Sequence, residues 1–522
     1  MKKPLETRNA SAGESALMAC GLVALLSACS GYYPLGESQS NQSLTEPDRG
    51  GGTGDANVGA TLGAPDVTID GGDRSGPGSL VAVGDLDGDG YGDIAQTRDD
   101  FALDVSVLII RYGGPRPQNG IERFELQEGA AYLAIEPAWL NGMLVSAAGD
   151  VDGDGYDDVL AQTMQCGNAQ DGNGTYLLYG GPDRLAGTRA LASLAARFQP
   201  PARSAIPDGN ACSTDGFASG VGDLDADGID DFVIGLPPQL TPRDGYITGT
   251  REGLYVFYGR AERFAGDLTL EAADARLDVS QEHQRFNAYS VGDVNADGYA
   301  DLFVGPNYVD PPVDSFLLAG GRRLSGGVDL ASVATRLSGV WSNVTDHLHG
   351  AGDFDGDGIN DLLLRDESLK SFLFYGAPGL FADGFDFAQA GAVLQGGPAV
   401  FLAGDLDADG DDELVDRFIA DTELPMPSEV ALASGSRERL SGAFSFPEAE
   451  ALAQHPEGRF PDVPERVLIE AIPAGDLDGD GAGDMFTVSE VRAIESNGSF
   501  TQGDQQIHIH YGSPGGILSD PR

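Results

Sequence analysis

Residues 84–94 read Gly-Asp-Leu-Asp-Gly-Asp-Gly-Tyr-Gly-Asp-Ile. The same acidic stretch returns six more times, with its first acid at Asp85, Asp150, Asp223, Asp293, Asp353, Asp405 and Asp476. Steps of 65, 73, 70, 60, 52 and 71 residues make this a repeat architecture. Counting from the first acid, Asp85, Asp87 and Asp89 offer carboxylates at positions one, three and five, Tyr91 a backbone carbonyl at seven, and Asp93 a closing carboxylate at nine. Hard divalent cations such as Ca²⁺ take six to eight oxygens at roughly 2.3–2.6 Å, and a short acidic loop supplies most of them. Gly90 lets the chain reverse through dihedrals closed to other residues.

The other copies keep this grammar. They run Asp150, Asp152, Asp154, Tyr156 and Asp158; Asp223, Asp225, Asp227, Ile229 and Asp231; Asp353, Asp355, Asp357, Ile359 and Asp361; and Asp476, Asp478, Asp480, Ala482 and Asp484. Two vary, with Asn295 among Asp293, Asp297, Tyr299 and Asp301, and with Glu413 closing Asp405, Asp407, Asp409 and Asp411. Both substitutes still offer an oxygen. Glycine holds position six and precedes the first acid in every copy, and an apolar residue follows each closing acid, as expected where a buried strand begins. An EF-hand would need flanking helices and a bidentate Glu at position twelve, where this chain has Gln96, Ala161, Ile234, Val304, Leu364, Asp416 and Thr487. Plain acidic turns would not need a five-point spacing kept seven times.

Short apolar runs enter each acidic stretch (Leu80 to Val83), leave it (Phe232 to Ile234), and follow in a third run that ends on a Tyr-Gly turn (Leu254 to Tyr258). Four of these turns continue as Tyr-Gly-x-Pro, from Tyr112, Tyr179, Tyr375 and Tyr511, whereas the fourth and sixth copies have Ala319-Gly320 and Ser434-Gly435. A fourth strand is predicted in each variable stretch. Seven four-stranded units predict an all-β, seven-bladed β-propeller. The pattern of an aromatic residue or Gly, then x-Gly-Asp, the acidic loop, an apolar strand and Gly-x-Pro resembles the FG-GAP repeat of integrin α-subunit propellers, most closely at Phe217 to Pro237 and Phe286 to Pro306. That resemblance, over residues 60–522, implies up to seven structural Ca²⁺ ions in hairpin loops on one face of the disc. The last copy is one strand short, and Asp66 to Asp70 is expected to fill the gap against Ile507 to Tyr511.

Ahead of the repeats, residues 1–28 resemble a bacterial lipoprotein signal peptide: Lys2, Lys3 and Arg8 precede an apolar run, and Leu26-Ser27-Ala28-Cys29 resembles a lipobox. Cys29 would carry the lipid, and Ser30 after it resembles the outer-membrane sorting choice. An ordinary secretory signal cut nearby remains the alternative. Residues 29–59 read as a disordered tether rich in Ser, Gly, Gln and Asn.

A formal charge of −51 argues against nucleic acid, whose phosphates need Lys and Arg. About a third of the 82 acids lie in the seven loops, so metal and fold are expected to be linked. Outside the signal, Cys166 and Cys212 are the remaining cysteines and are expected to pair in an oxidising compartment. The pairs His347/His349 and His508/His510 could bind a transition metal or simply line a strand face. No G-x-S-x-G, H-E-x-x-H or phosphate-cradling loop occurs. The sequence therefore predicts a non-enzymatic, monomeric module at the bacterial cell envelope that binds protein or glycan. A sugar-specific lectin, and less favoured a polysaccharide-acting enzyme, are the alternatives.

Overall fold

Each acidic stretch is the tip of a tight antiparallel hairpin, because the apolar runs on either side can bury themselves only by pairing. Leu80–Gly84 pairs with Asp93–Asp100, Leu140–Gly149 with Asp158–Cys166, and Phe217–Gly222 with Asp231–Leu236. Phe286–Ser290 pairs with Leu302–Pro306, Ala351–Gly352 with Asp361–Arg365, Val400–Leu402 with Leu414–Phe418, and Glu465–Gly475 with Asp484–Ile494. A computed structural model of the chain describes residues 67–70, 80–100, 105–116, 122–125, 131–135, 140–166, 174–199, 212–213, 217–236, 240–241, 245–246, 253–279, 286–306, 314–340, 351–366, 370–395, 400–418, 429–435, 437–445, 465–494 and 500–514. The signal peptide, Cys29 and the tether lie outside them, as do His347 and His349. Among the described residues no helix is long and apolar enough to cross a membrane.

The molecule is an all-β β-propeller. In every hairpin the second strand pairs with a third, such as Gly253–Phe257 or Ser371–Phe374, and in most a fourth strand follows on the outside, as Ala275–Asp278 and Ala392–Gln395 do. Side chains alternate across each sheet, so both faces are buried against neighbours. In Leu302–Pro306, Leu302 and Val304 pack with Val256 and Leu277 of the preceding sheet, while Phe303 packs with Leu362 and Leu364 of the next. Comparable shared layers join the other neighbours, among them Phe198, Phe232 and Phe257 between the second and third repeats. Each fully buried aromatic or aliphatic side chain there contributes about 1.5–3 kcal/mol relative to exposure.

The first and last described strands pair as the sequence suggests. Val67–Asp70 runs antiparallel to Phe500–His510, with Val67 opposite Ile509 and Ile69 opposite Ile507, and completes the last sheet. The blade count needs correction. Six sheets have four to six strands, whereas the one built on Val400–Leu402 has three, so six blades rather than seven are complete. The stretch from which a fourth strand of that sheet would come, residues 446–464, lies outside the described residues.

A second departure is a fifth strand. Five sheets carry on their outer edge a short parallel strand lent by the following repeat: Glu122–Glu125, Gly187–Ala190, Asp267–Thr269, Gly326–Asp329 and Gly442–Ser445. After three of these, a single 3-10 turn buries a leucine, Leu191, Leu270 or Leu330, before the fourth strand begins. On those five sheets the edge left is a strand of only three or four residues, which blunts it as a template for aggregation.

Candidate metal centre

Seven tips, one from each acidic stretch, form a closed ring of backbone hydrogen bonds. The N–H at position eight of each tip donates to the first-acid carbonyl of the tip before it: Asp157 to Asp85, Asp230 to Asp150, Ala300 to Asp223, Asn360 to Asp293, Asp412 to Asp353, Gly483 to Asp405, and Gly92 to Asp476, at 2.6–3.3 Å. Where position eight is Asp157, Asp230 or Asp412, its carboxylate also accepts the N–H of the first acid in the preceding tip, at 2.7–3.0 Å. Each tip is thereby positioned by its neighbours as well as by its own hairpin.

Within a tip the first acid organises the turn. Asp85 accepts N–H groups from Gly88, Asp89 and Gly90 at 2.7, 3.1 and 2.8 Å. Asp223 and Asp476 repeat that triple, and Asp150, Asp293, Asp353 and Asp405 bind their own position-five and position-six N–H groups. Position-six glycines have φ between 85° and 96°, which explains their constancy. Position four is also left-handed, and there three copies use alanine: Ala226, Ala296 and Ala408, at φ 65°, 58° and 56°.

The closing acids Asp93, Asp158, Asp231, Asp301, Asp361, Glu413 and Asp484 are fully buried. One oxygen accepts the position-two N–H of its own tip (Leu86, Val151, Leu224, Val294, Phe354, Leu406 or Leu477) at 2.6–3.1 Å. The other accepts the N–H of the glycine that ends the third strand (Gly113, Gly180, Gly259, Gly320, Gly376, Gly435 or Gly512) at 2.7–3.2 Å. The Ala319-Gly320 and Ser434-Gly435 turns thus make the same contact as the Tyr-Gly turns. Burial pushes these carboxyls up, Asp93 and Asp361 to about 7, Asp158, Asp231, Glu413 and Asp484 to about 8, and Asp301 to about 6, with the nearby loop carboxylates adding to the rise.

Oxygens of Asp85, Asp87 and Asp93 lie within 4.8 Å of one another, as do those of Asp150, Asp152 and Asp158, of Asp223, Asp225 and Asp231, of Asp353, Asp355 and Asp357, and of Asp405, Asp407 and Glu413. Several oxygens are left over: Asp225 Oδ1, Asp355 Oδ1, Asp407 Oδ1 and Asp411 Oδ1 are buried without a hydrogen-bond partner. A charged oxygen in that state is costly unless a cation faces it. An all-oxygen donor set with orphaned carboxylate oxygens fits a hard divalent cation. Asn295 behaves differently, since its amide nitrogen donates to both oxygens of Asp301 at 2.9 Å. The position-seven side chains lean over the preceding tip, where a Cβ on Gly88 would meet Tyr156 at 2.6 Å and one on Gly479 would meet Tyr91 at 3.1 Å.

Reading the sequence for carboxylates alone missed the arginines. Arg184 binds Asp87 and Asp89, Arg263 binds Asp152 and, at 2.5 Å, Asp154, Arg323 lies 2.8 Å from Asp225, and Arg439 binds Asp355 and, at 2.8 Å, Asp357. Each comes from the repeat after the tip it touches. The signal was an arginine three or four residues beyond the third-strand glycine, followed by Leu or Phe.

Fold and tips together define a class: an all-β propeller whose acidic hairpin tips circle a shared rim. Homologues of the chain are integrin α chains, matched in the FG-GAP propeller region. Integrin alpha-V of Gallus gallus is 31% identical over 158 residues, covering 28% of this chain and 13% of that protein. Integrin alpha pat-2 of Caenorhabditis briggsae is 29% identical over 165 residues, 28% of this chain and 12% of its own. Integrin alpha-5 of Xenopus laevis is 27% identical over 170 residues, 31% of this chain and 15% of its own. The matches thus span 12–15% of those relatives' length. No protein-family model matches the chain.

Proposed function

We propose that the chain is a non-enzymatic, calcium-stabilised propeller that presents a face to a protein or glycan ligand at the bacterial cell envelope. The observation that carries this reading is the ring of seven acidic tips with buried carboxylate oxygens left unpartnered. Its ligands are the carboxylates at positions one, three, five and nine of each tip, with the position-seven carbonyls and the Asn295 oxygen completing the sets. When bound, the cation neutralises like charges that repel one another in its absence. The three-stranded sheet is taken as the seventh wedge, since Asp412 and Gly483 tie its tip to the tips on either side.

Likeness to integrin α chains supports a protein-binding role. Lipidation at Cys29 would tether the monomeric propeller to the outer membrane through residues 29–59. Cys166 and Cys212 stand directly opposite one another in paired strands, which supports a disulfide between them. A sugar-specific lectin is the second reading, and cavities of about 230 and 240 Å³ lie between neighbouring blades, lined mainly by apolar side chains such as Leu86, Ile110 and Val159 in one case and Leu224, Val256 and Leu318 in the other.

Thermal unfolding in calcium and after EGTA tests the metal. At free Ca²⁺ a hundred times Kd each filled site adds about 2.7 kcal/mol, so chelation lowers the melting temperature by tens of degrees. Indifference to EGTA overturns the calcium reading. A glycan array beside pull-down from envelope extracts separates lectin from protein-binding module.

A further inference from the structure

The arginines at the tips come with tyrosines. Arg184 lies over the ring of Tyr112 at 5.0 Å, Arg263 over Tyr179 at 4.7 Å, Arg323 over Tyr258 at 4.6 Å, Arg439 over Tyr375 at 4.7 Å, and Arg116 over Tyr511 at 5.4 Å. In each pair the tyrosine ends the third strand of one repeat and the arginine belongs to the next. The residue after the arginine completes the contact at three junctions, where Leu185, Phe264 and Leu324 donate their N–H groups to the tyrosine hydroxyl at 2.7–2.8 Å. Stacking on the ring fixes the guanidinium, which at Arg184, Arg263, Arg323 and Arg439 then reaches two carboxylates of the acidic tip, whereas Arg116 donates to the Gly512 carbonyl at 3.2 Å.

The two members are lost together. At the Asp293 tip the tyrosine position is Ala319 and the arginine position Leu380; at the Asp405 tip they are Ser434 and, four residues after Gly512, Gly516. Five of seven junctions have both and two have neither, so the pair behaves as one device. Its target is also divided: Asp355 gives Oδ2 to Arg439 and keeps Oδ1 unpartnered, and Asp225 Oδ2 faces Arg323 while Oδ1 is unpartnered. One oxygen serves the neighbouring repeat and one is left for a cation. The Asp411 carboxylate, 6% exposed with Oδ1 unpartnered, lies between the Asp405 tip and the Asp353 tip before it, where a Cβ on Gly356 would meet it.

We propose that each Tyr–Arg pair is a latch whose guanidinium compensates the tip of the preceding repeat, so that latched tips stay closed when the divalent cation leaves. The Asp293 and Asp405 tips lack the latch and are where the ring opens first. The proposal rests on the calcium reading above. It adds a second, built-in source of positive charge and a fixed order of opening.

Hydrogen exchange read by mass spectrometry on the full chain, in calcium and after EGTA, tests it. Chelation is expected to speed exchange at least tenfold at residues 293–301 and 405–414 while the tips at Asp150, Asp223 and Asp353 change less than threefold. Arg439→Gln should extend the EGTA response to residues 353–361 and leave the calcium-loaded rates there unchanged, and Arg439→Lys, which keeps the charge without the planar fork, should restore the latched behaviour only in part. The double substitution Ala319→Tyr with Leu380→Arg should make the Asp293 tip resistant. A wild-type response equal at all tips, or an Arg439→Gln protein indistinguishable from wild type, overturns the latch. If calcium alters no tip, the calcium reading fails by itself, and faster exchange at residues 353–361 in Arg439→Gln still decides for or against compensation.

Discussion

The rim of acidic tips and the outer edge of the blades obey different rules. At the rim every repeat solves the same problem with the same atoms: a closing acid bridges its own turn and a neighbouring strand end, and position eight ties each tip to the one before it. At the outer edge each repeat improvises, with a lent parallel strand on five sheets and, among the described residues, none on the sheet that ends in Thr335–Leu337. Constraint is densest where burial, charge and backbone reversal coincide. The edge needs only a paired strand and tolerates variety.

The largest expected effect lies at the rim. Asp231 is fully buried, with Leu224 N–H at 2.9 Å on one oxygen and Gly259 N–H at 2.8 Å on the other. Asp231→Ala leaves both donors buried and unpaired, at about 1–3 kcal/mol each, and also removes a proposed ligand. Two such donors give a loss of about 2–6 kcal/mol, which relief of the buried charge at Asp231 reduces at neutral pH, and this loss is expected in urea unfolding even in EGTA. If the whole loss appears only in calcium, the closing acid is a ligand and not a brace.

A smaller effect of opposite sign sharpens the same contrast. Ala226 holds φ 65° at a position where four other tips use glycine. A left-handed residue with a Cβ costs roughly 1–2 kcal/mol, while glycine adds back roughly 0.5–1 kcal/mol of unfolded-state entropy. Ala226→Gly is therefore expected to raise stability by about 0.5–1 kcal/mol. A destabilised variant would mean that the alanine methyl packs usefully and that the rim is not strained there.

These rules set what the sequence could reveal. The seven tips, the glycine turns and the closing strand at Val67–Asp70 were legible because each is local, or follows from a count of strands. The brace formed by the closing acid was hidden, since its second donor lies 28 residues away at Gly259 and carboxylate spacing alone reads as metal. The arginine latches were hidden for the same reason, Arg263 lying 109 residues from Asp154. The lent strands carry no period of their own: Gly187–Ala190 is exposed throughout, so no apolar alternation marks it. Asp411 was read only for its backbone carbonyl, and its buried side chain became visible once two tips were placed side by side.

The smallest effect belongs to the outer edge. Arg197 and Asp267 form a two-bond ion pair at 2.7 and 2.8 Å between a fourth strand and the strand lent to it. Arg197 holds the Asp267 carboxyl below the usual range. Yet Asp267 is 61% exposed, and an exposed pair contributes about 0–1 kcal/mol. The lent strand is held instead by backbone pairing of Asp267, Leu268 and Thr269 with Arg197, Phe198 and Gln199. Asp267→Asn should therefore shift unfolding by less than about 1 kcal/mol, and 1 M salt should erase most of the difference, since screening then acts over about 3 Å. A loss as large as that of Asp231→Ala, persisting in salt, would show that the edge is pinned by charge and that the rim holds no special place in the fold.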